Sequence, residues 1–260
     1  MTFIQIYLMA FAIIICMMNL LWMVSVIIKN VSIVDLFWGF GFVLTAVFYF
    51  LNTDGYETRK ILLLTMVSIW GLRLSVYLAW RNIGKGEDFR YQQFRKDFGE
   101  HRYWWVSFFQ TFLLQGTLMW LISSPLLGAQ YYNSESELNI LDYIGIAIWL
   151  IGFVFEAGGD MQLARFKANP ENKGKVLNTG FWRYTRHPNY FGDAAVWLGF
   201  TLLCIATGSY LPVLGSILMI VLIIKVSGVA LLEKTLKTTK PEYKEYIEKT
   251  STFIPWFPKK

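Results

Sequence analysis

Long apolar runs dominate the chain. Seven stretches, roughly 3–28, 33–51, 61–80, 105–127, 139–157, 190–207 and 210–231, are mainly apolar. In several of them apolar residues surround the helix and leave no polar stripe. A run of about 18 or more apolar residues is long enough to cross a bilayer as a helix. A backbone in hydrocarbon must satisfy its own hydrogen bonds, which favours helices. The pattern predicts an all-α polytopic integral membrane protein with about seven transmembrane helices, in one domain over residues 1–260. The first stretch has no basic residue ahead of it and no small-residue cleavage site, so it reads as a retained span.

Composition agrees with the pattern. Apolar residues make up 55% and charged residues 16%, against about 25% charged in an ordinary soluble domain. That balance excludes disorder. Cys16 and Cys204 both lie in apolar runs and build no disulfide framework. With His101 and His187 as the two histidines, the close spacing of a zinc site is missing, so no metal is expected. The net charge of +6 acquires meaning from its distribution. Of 24 Lys/Arg, 20 fall in segments 29–32, 81–104, 158–189 and 232–260. Arg59 and Lys60 fall on the opposite side, and Arg73 and Lys225 fall within spans. The positive-inside rule then puts the N-terminus outside and the C-terminus in the cytoplasm. The basic excess reads as topology and contact with anionic membrane lipid, so no nucleic-acid partner is expected. Trp104, Trp105, Trp182, Trp256, Tyr131 and Tyr132 sit near span ends, where amphipathic rings belong. The paired charges of 81–104 suggest structured loops or short interfacial helices.

Ionisable groups inside spans are expensive and point to function. Asp35 opens the second span and Arg73 lies inside the third. Glu156 and Asp160 close the fifth, one turn apart on one face. Asp193 lies one turn into the sixth. Buried ion pairs and snorkelling side chains are the structural alternative for each. The densest polar segment is 158–193, with Asp160, Arg165, Lys167, Lys173 and Lys175. It ends in Arg183-Tyr184-Thr185-Arg186-His187-Pro188-Asn189-Tyr190-Phe191-Gly192-Asp193. Three basic groups, Arg183, Arg186 and His187, precede a helix that begins near Pro188. Helix N-termini attract anions, and arginine grips phosphate with a two-pronged fork. The arrangement suits a phosphate-bearing ligand at the membrane surface; a loop touching lipid headgroups is the plainer alternative. No G-x-G-x-x-G fingerprint is present, so a Rossmann fold is not what holds a nucleotide here.

These motifs, with Ser32-Ile33-Val34-Asp35-Leu36-Phe37-Trp38-Gly39, Trp70-Gly71-Leu72-Arg73-Leu74, Arg81-Asn82 to Glu87-Asp88-Phe89-Arg90-Tyr91 and the tail Pro241-Glu242-Tyr243-Lys244-Glu245-Tyr246, carry a resemblance over nearly the whole chain. The chain resembles the bacterial DUF1295 membrane proteins, which are related to steroid 5-alpha-reductases. The resemblance implies a seven-helix reductase that uses NADPH to saturate the double bond of a lipophilic enone, in the bacterial cytoplasmic membrane in preference to the endoplasmic reticulum. By similarity, Asn189 and Asp193 match residues that hold the nicotinamide and ribose. Asp160 and Lys167 match adenine-side and phosphate contacts, and Tyr246 matches a tail tyrosine over the cofactor. Arg73, Arg81, Arg90, Tyr91, Arg165, Arg183, Tyr184, Arg186, His187 and Tyr190 are further candidate contacts. Human-type reductases polarise the substrate ketone with a Glu and a Tyr. Here Trp70 stands near that Tyr position, so Asp35 and Tyr77 are the candidate proton donors. Membrane methyltransferases that use S-adenosylmethionine share R-H-P-x-Y-x-G, and a non-catalytic lipid- or sterol-binding protein is a third reading. The many Arg/Lys of 81–102 and 165–186 favour the phosphate-rich NADPH.

Overall fold

A computed structural model describes residues 1–132, 137–226, 233 and 243–259. These residues are largely helical, with no strand among them. They form two compact units. Unit 1 is Met1–Leu138 with Thr207–Gly215, and unit 2 is Asn139–Ala206 with Ser216–Lys260.

Unit 1 opens with α1 (Phe3–Ile28), started by a capping box in which Thr2 and Gln5 satisfy each other's backbone N–H groups. It stops at Lys29, whose φ of 53° is left-handed and whose N–H bonds back to the Ser25 carbonyl. The second apolar run does not make one helix. It divides at Phe37 into α2 (Ile33–Leu36) and α3 (Trp38–Asn52). The break is sealed from outside: the Phe40 N–H, which a continuous helix would bond internally, donates to Ser75 Oγ at 2.9 Å. Ser75 lies on α4 (Glu57–Asn82). Beside the break α3 and α4 touch backbone to backbone, since a Cβ on Gly39 would stand 2.2 Å from the Gly71 carbonyl oxygen. The polar stretch after α4 contains α5 (Phe89–Phe98), capped by Asp88. Then α6 (Tyr103–Ser107), a π segment Phe108–Leu113, α7 (Leu114–Ile122) and α8 (Ser124–Tyr131) follow. They form one long apolar path, Tyr103–Tyr131.

Unit 2 contains α9 (Ile140–Ala168), begun by an Asn139/Asp142 capping box, and α10 (Pro188–Ile205). Between them lie the 3₁₀ turns Pro170–Asn172 and Gly180–Arg183. The chain then makes α11 (Leu214–Val221), the π segment Leu222–Val226 and α12 (Tyr243–Lys249). α9 and α10 pack on glycine. Gly145, Gly152 and Gly159 recur every seven residues on α9, as do Gly192 and Gly199 on α10. A Cβ on Gly192 would stand 2.3 Å from the Glu156 backbone N and 2.5 Å from the Gly152 carbonyl oxygen. Small residues let helices in a membrane approach this closely.

Among the described residues, four helices are long and apolar enough to cross a membrane: Phe3–Ile28, Glu57–Asn82, Tyr103–Tyr131 and Ile140–Ala168. They carry the first, third, fourth and fifth expected spans. The chain is an all-α polytopic membrane protein. The second expected span is shortened by its break, and Trp38–Asn52 has 15 residues. The sixth is α10, with 18 residues and much of its surface buried. The seventh is apolar over Leu211–Lys225, and its continuation to 231 lies outside the described residues.

Candidate functional site

The start of α10 is the most heavily bonded polar region of unit 2. Arg186, 5% exposed, directs its guanidinium into the protein. Nε and Nη2 donate to Glu233 Oε1 at 2.8 and 2.6 Å. Nη2 also donates to Thr252 Oγ1 at 2.7 Å, and Nη1 to the carbonyls of Ile247 at 3.1 Å and Thr250 at 2.5 Å. These contacts occupy all five guanidinium donors. The neighbouring backbone continues the seam, with Arg186 N–H on the Ser251 carbonyl and Trp256 N–H on the Tyr184 carbonyl, both at 2.9 Å. Thr185 Oγ1 lies 2.9 Å from the Phe253 carbonyl oxygen. The Tyr246 hydroxyl donates to the Trp182 carbonyl, and burial pushes that phenol above its ordinary range. The tail is thus clamped onto the start of α10.

This geometry differs from the expectation that Arg183, Arg186 and His187 together face a phosphate. Arg186 has no donor left over. His187 is 2% exposed and stacks on Tyr190. Burial pushes its imidazole down to about 4; Glu233, 3.4 Å from Nε2, pulls the other way and Arg186 adds to the lowering. It is neutral at pH 7. Arg183 is the exposed member of the three. Above the unfolded value of His187, about 6.5, both states are uncharged and nothing is gained or lost. As pH falls from there towards 4, the unfolded histidine takes up a proton that the buried one refuses, so stability drops across that window. Melting curves of the parent should show this loss, and His187→Gln should remove part of it. A slope unchanged by that substitution would assign the loss to other groups.

Next to the clamp, Asn189 Nδ2 donates to Asp160 Oδ1 at 3.2 Å, joining α10 to α9. Asp193 follows Asn189 by one turn on the same face of α10. Gly159 keeps the helices close enough for this bond, since a Cβ there would stand 3.1 Å from the Pro188 ring. Arg165 and Lys167, on the last turns of α9, are exposed. α9 runs eleven residues past the expected span end at 157, carrying Asp160, Arg165 and Lys167 on a helix instead of a loop. Tyr184 is exposed and packs its ring edge-on against Phe257.

Unit 1 holds a second polar cluster. Asp35 accepts from Arg90 Nη2 at 2.8 Å and from the Tyr91 hydroxyl at 2.7 Å. Gln115 Nε2 donates to the Tyr91 hydroxyl at 3.2 Å. Arg90 Nε also donates to Asp88 Oδ1 at 2.9 Å. Burial pushes the Asp88 carboxyl up, but its Arg90 bonds outweigh this and hold it below the usual range. Glu87 receives two bonds from Arg95, at 2.9 and 3.0 Å, and the Val31 N–H at 2.8 Å. The motifs around Asp35 and Glu87–Tyr91 are therefore one structure. The structure joins Asp35, Arg90 and Tyr91, while Tyr77 lies on α4 under the Arg81 guanidinium, 5.6 Å from its ring centre. Arg73 is half-buried on the same helix. Sequence reasoning missed Glu233, Gln115 and Thr252. All three stand outside the quoted motifs.

These features define a polytopic membrane protein with two built polar clusters, one of them closed by its own tail. The chain belongs to the family described as Protein of unknown function (DUF1295), which it matches over residues 21–250. An uncharacterized protein of Schizosaccharomyces pombe is 28% identical over 71% of this chain and 60% of its own length. Delta(14)-sterol reductase of Arabidopsis thaliana is 29% identical over 43% of this chain and 33% of its own. The 3-oxo-5-alpha-steroid 4-dehydrogenase 1 of Mus musculus is 34% identical over 22% of this chain and 23% of its own. The chain spans less than two thirds of each of these relatives. No solved structure matches it significantly.

Proposed function

We propose that the chain is a membrane reductase that uses NADPH to saturate a carbon–carbon double bond conjugated to a carbonyl in a lipophilic substrate. The observation that carries this is the Asp160–Asn189 hydrogen bond with Asp193 one turn on, in a family with sterol and steroid reductase relatives.

The donor set fits the cofactor. Asn189 turns its N–H to Asp160 and keeps Oδ1 as an acceptor for a carboxamide N–H. Asp193 is an acceptor for ribose hydroxyls. The exposed Arg165, Lys167 and Arg183 offer charge-assisted bonds to phosphates. NADPH supplies a hydride when bound. Arg186 and Tyr246 act indirectly, by holding the tail against the helix start that carries Asn189. On the carbonyl side a proton must reach the developing oxyanion, and a dry, apolar setting strengthens a donor placed there. Asp35 already accepts two hydrogen bonds, so its role is to orient Arg90 and Tyr91. Tyr77 is then the proton donor of this proposal. The C-terminus and the His187 loop both lie on the cytoplasmic side in this reading, where the nucleotide is found.

Purified protein should bind NADPH at least about tenfold more tightly than NADH, because the extra phosphate gains charge-assisted hydrogen bonds worth about 1.5–3 kcal/mol each. Asn189→Ala should weaken that affinity. Tyr77→Phe should leave affinity intact and slow single-turnover oxidation of NADPH by more than tenfold, given the usual contribution of about 10²–10⁴ from a proton donor. Tight binding of S-adenosylmethionine without NADPH binding would replace the reading with a methyltransferase. Binding of neither would leave a lipid-binding protein.

A further inference from the structure

Unit 1 contains a recess of about 450 Å³ that shares Val31 and Arg95 with the polar cluster around Glu87. Its lining includes Ser25, Lys29, Arg95, Glu100, Tyr103 and Ser107. It lies where α1 ends and α6 begins, which are the ends of two membrane-crossing stretches, Phe3–Ile28 and Tyr103–Tyr131. That is the depth at which lipid headgroups sit. The surroundings match such a depth. Trp22 Nε1 donates to the Trp104 carbonyl at 2.7 Å, Trp104 is exposed, and Val26 brings an apolar wall to the recess.

We propose that this recess binds the headgroup of an ethanolamine phospholipid. Its chemistry is mixed in charge. Lys29 and Arg95 suit a phosphate, while Glu100 suits a cation. Arg95 is held in position by Glu87 and by the Tyr103 ring 4.9 Å beneath its guanidinium. The Glu87 bonds take two of its five N–H donors and leave the others for a ligand. Ser25 and Ser107 each donate their hydroxyl proton to a backbone carbonyl, at 2.7 and 3.1 Å. What they offer a ligand is therefore acceptor lone pairs, which suit an N–H donor. An ethanolamine ammonium has N–H groups; a choline ammonium has none, and a glycerol headgroup has no cation. Lys29 adds an independent argument. It is the one non-glycine residue with positive φ among the described residues, a conformation that costs about 1–2 kcal/mol with a Cβ. Glycine would end α1 more easily, so the side chain at this position has a use beyond the backbone.

The test is lipid retention in native mass spectrometry. The whole protein is reconstituted in vesicles holding equal amounts of phosphatidylethanolamine, phosphatidylcholine and phosphatidylglycerol, then extracted. The parent should keep phosphatidylethanolamine over phosphatidylcholine by about tenfold, the worth of one charge-assisted hydrogen bond. Glu100→Gln should bring that ratio close to one. Lys29→Gln should lower retention of both lipids together. Both side chains are exposed, and an unchanged elution profile identifies folded variants. Equal retention of the lipids by the parent overturns the proposal without reference to any variant. So does a ratio that Glu100→Gln leaves in place. Release of the bound lipid by excess inorganic phosphate would make the recess a site for free anions and would overturn its assignment to lipid.

Discussion

Arg186→Ala should detach the tail from the start of α10 and lower stability by about 3–5 kcal/mol, the usual cost of breaking a buried ion pair from one side. The substitution leaves the Glu233 carboxylate beside a neutral His187 and strips donors from the Ile247 and Thr250 carbonyls and the Thr252 hydroxyl. Arg186→Lys should recover part of this. An ammonium restores the charge opposite Glu233 but cannot reach three directions with a rigid fork. Limited proteolysis separates the effects: the alanine variant should be cut within 243–259 much sooner than the parent. A parent-like digestion pattern together with a parent-like melting temperature would mean that the clamp seen here holds nothing.

Gly192→Val should be as damaging, for a steric reason. The Glu156 backbone N and the Gly152 carbonyl are already within 2.3 and 2.5 Å of the place where a Cβ would go. Two helix backbones cannot yield as a flexible side chain does. The cost should lie at or above the upper end of the usual overpacking range of about 1–3 kcal/mol, and the Asp160–Asn189 bond should part with it. Gly208→Ala is the control. That glycine has φ of +76° and open space around its Cβ position, so only the left-handed backbone is penalised, by about 1–2 kcal/mol. Melting curves of the two variants should rank them in that order; equal losses would mean that the helices can move apart freely.

The apolar runs made most of the helices legible, because lipid demands an unbroken stretch of apolar side chains and leaves few other patterns. What they concealed were interruptions set by partners. The break at Phe37 depends on Ser75, an α4 side chain 35 residues beyond the Phe40 N–H it accepts from. The extension of α9 to Ala168 interleaves Asp160, Arg165 and Lys167 with Met161, Leu163 and Phe166, so no unbroken apolar run marks it. The site was partly legible on the same terms. Asp160, Asn189 and Asp193 stood out as polar groups at helix spacing, and the structure puts the first two in contact. Arg183, Arg186 and His187 read alike as cations. Their separation into one exposed and two buried groups comes from Glu233 and the tail, 47 and more residues downstream. Asp35 likewise stood out in a span, but its acceptor role is set by Arg90 and Tyr91, 55 and 56 residues on.

The clamp on Arg186 also has a timetable. Its guanidinium is made before any group that will neutralise or bond it; Glu233 comes 47 residues later, and the Thr250 carbonyl 64 residues later. At translation rates of about 5–20 residues per second, that interval lasts about 3–13 seconds. Until it ends, a charged, water-seeking residue stands two positions ahead of Pro188, the first residue of α10. That charge keeps the helix start at the aqueous surface while the helix inserts, and burial of the arginine becomes one of the last steps in assembling unit 2.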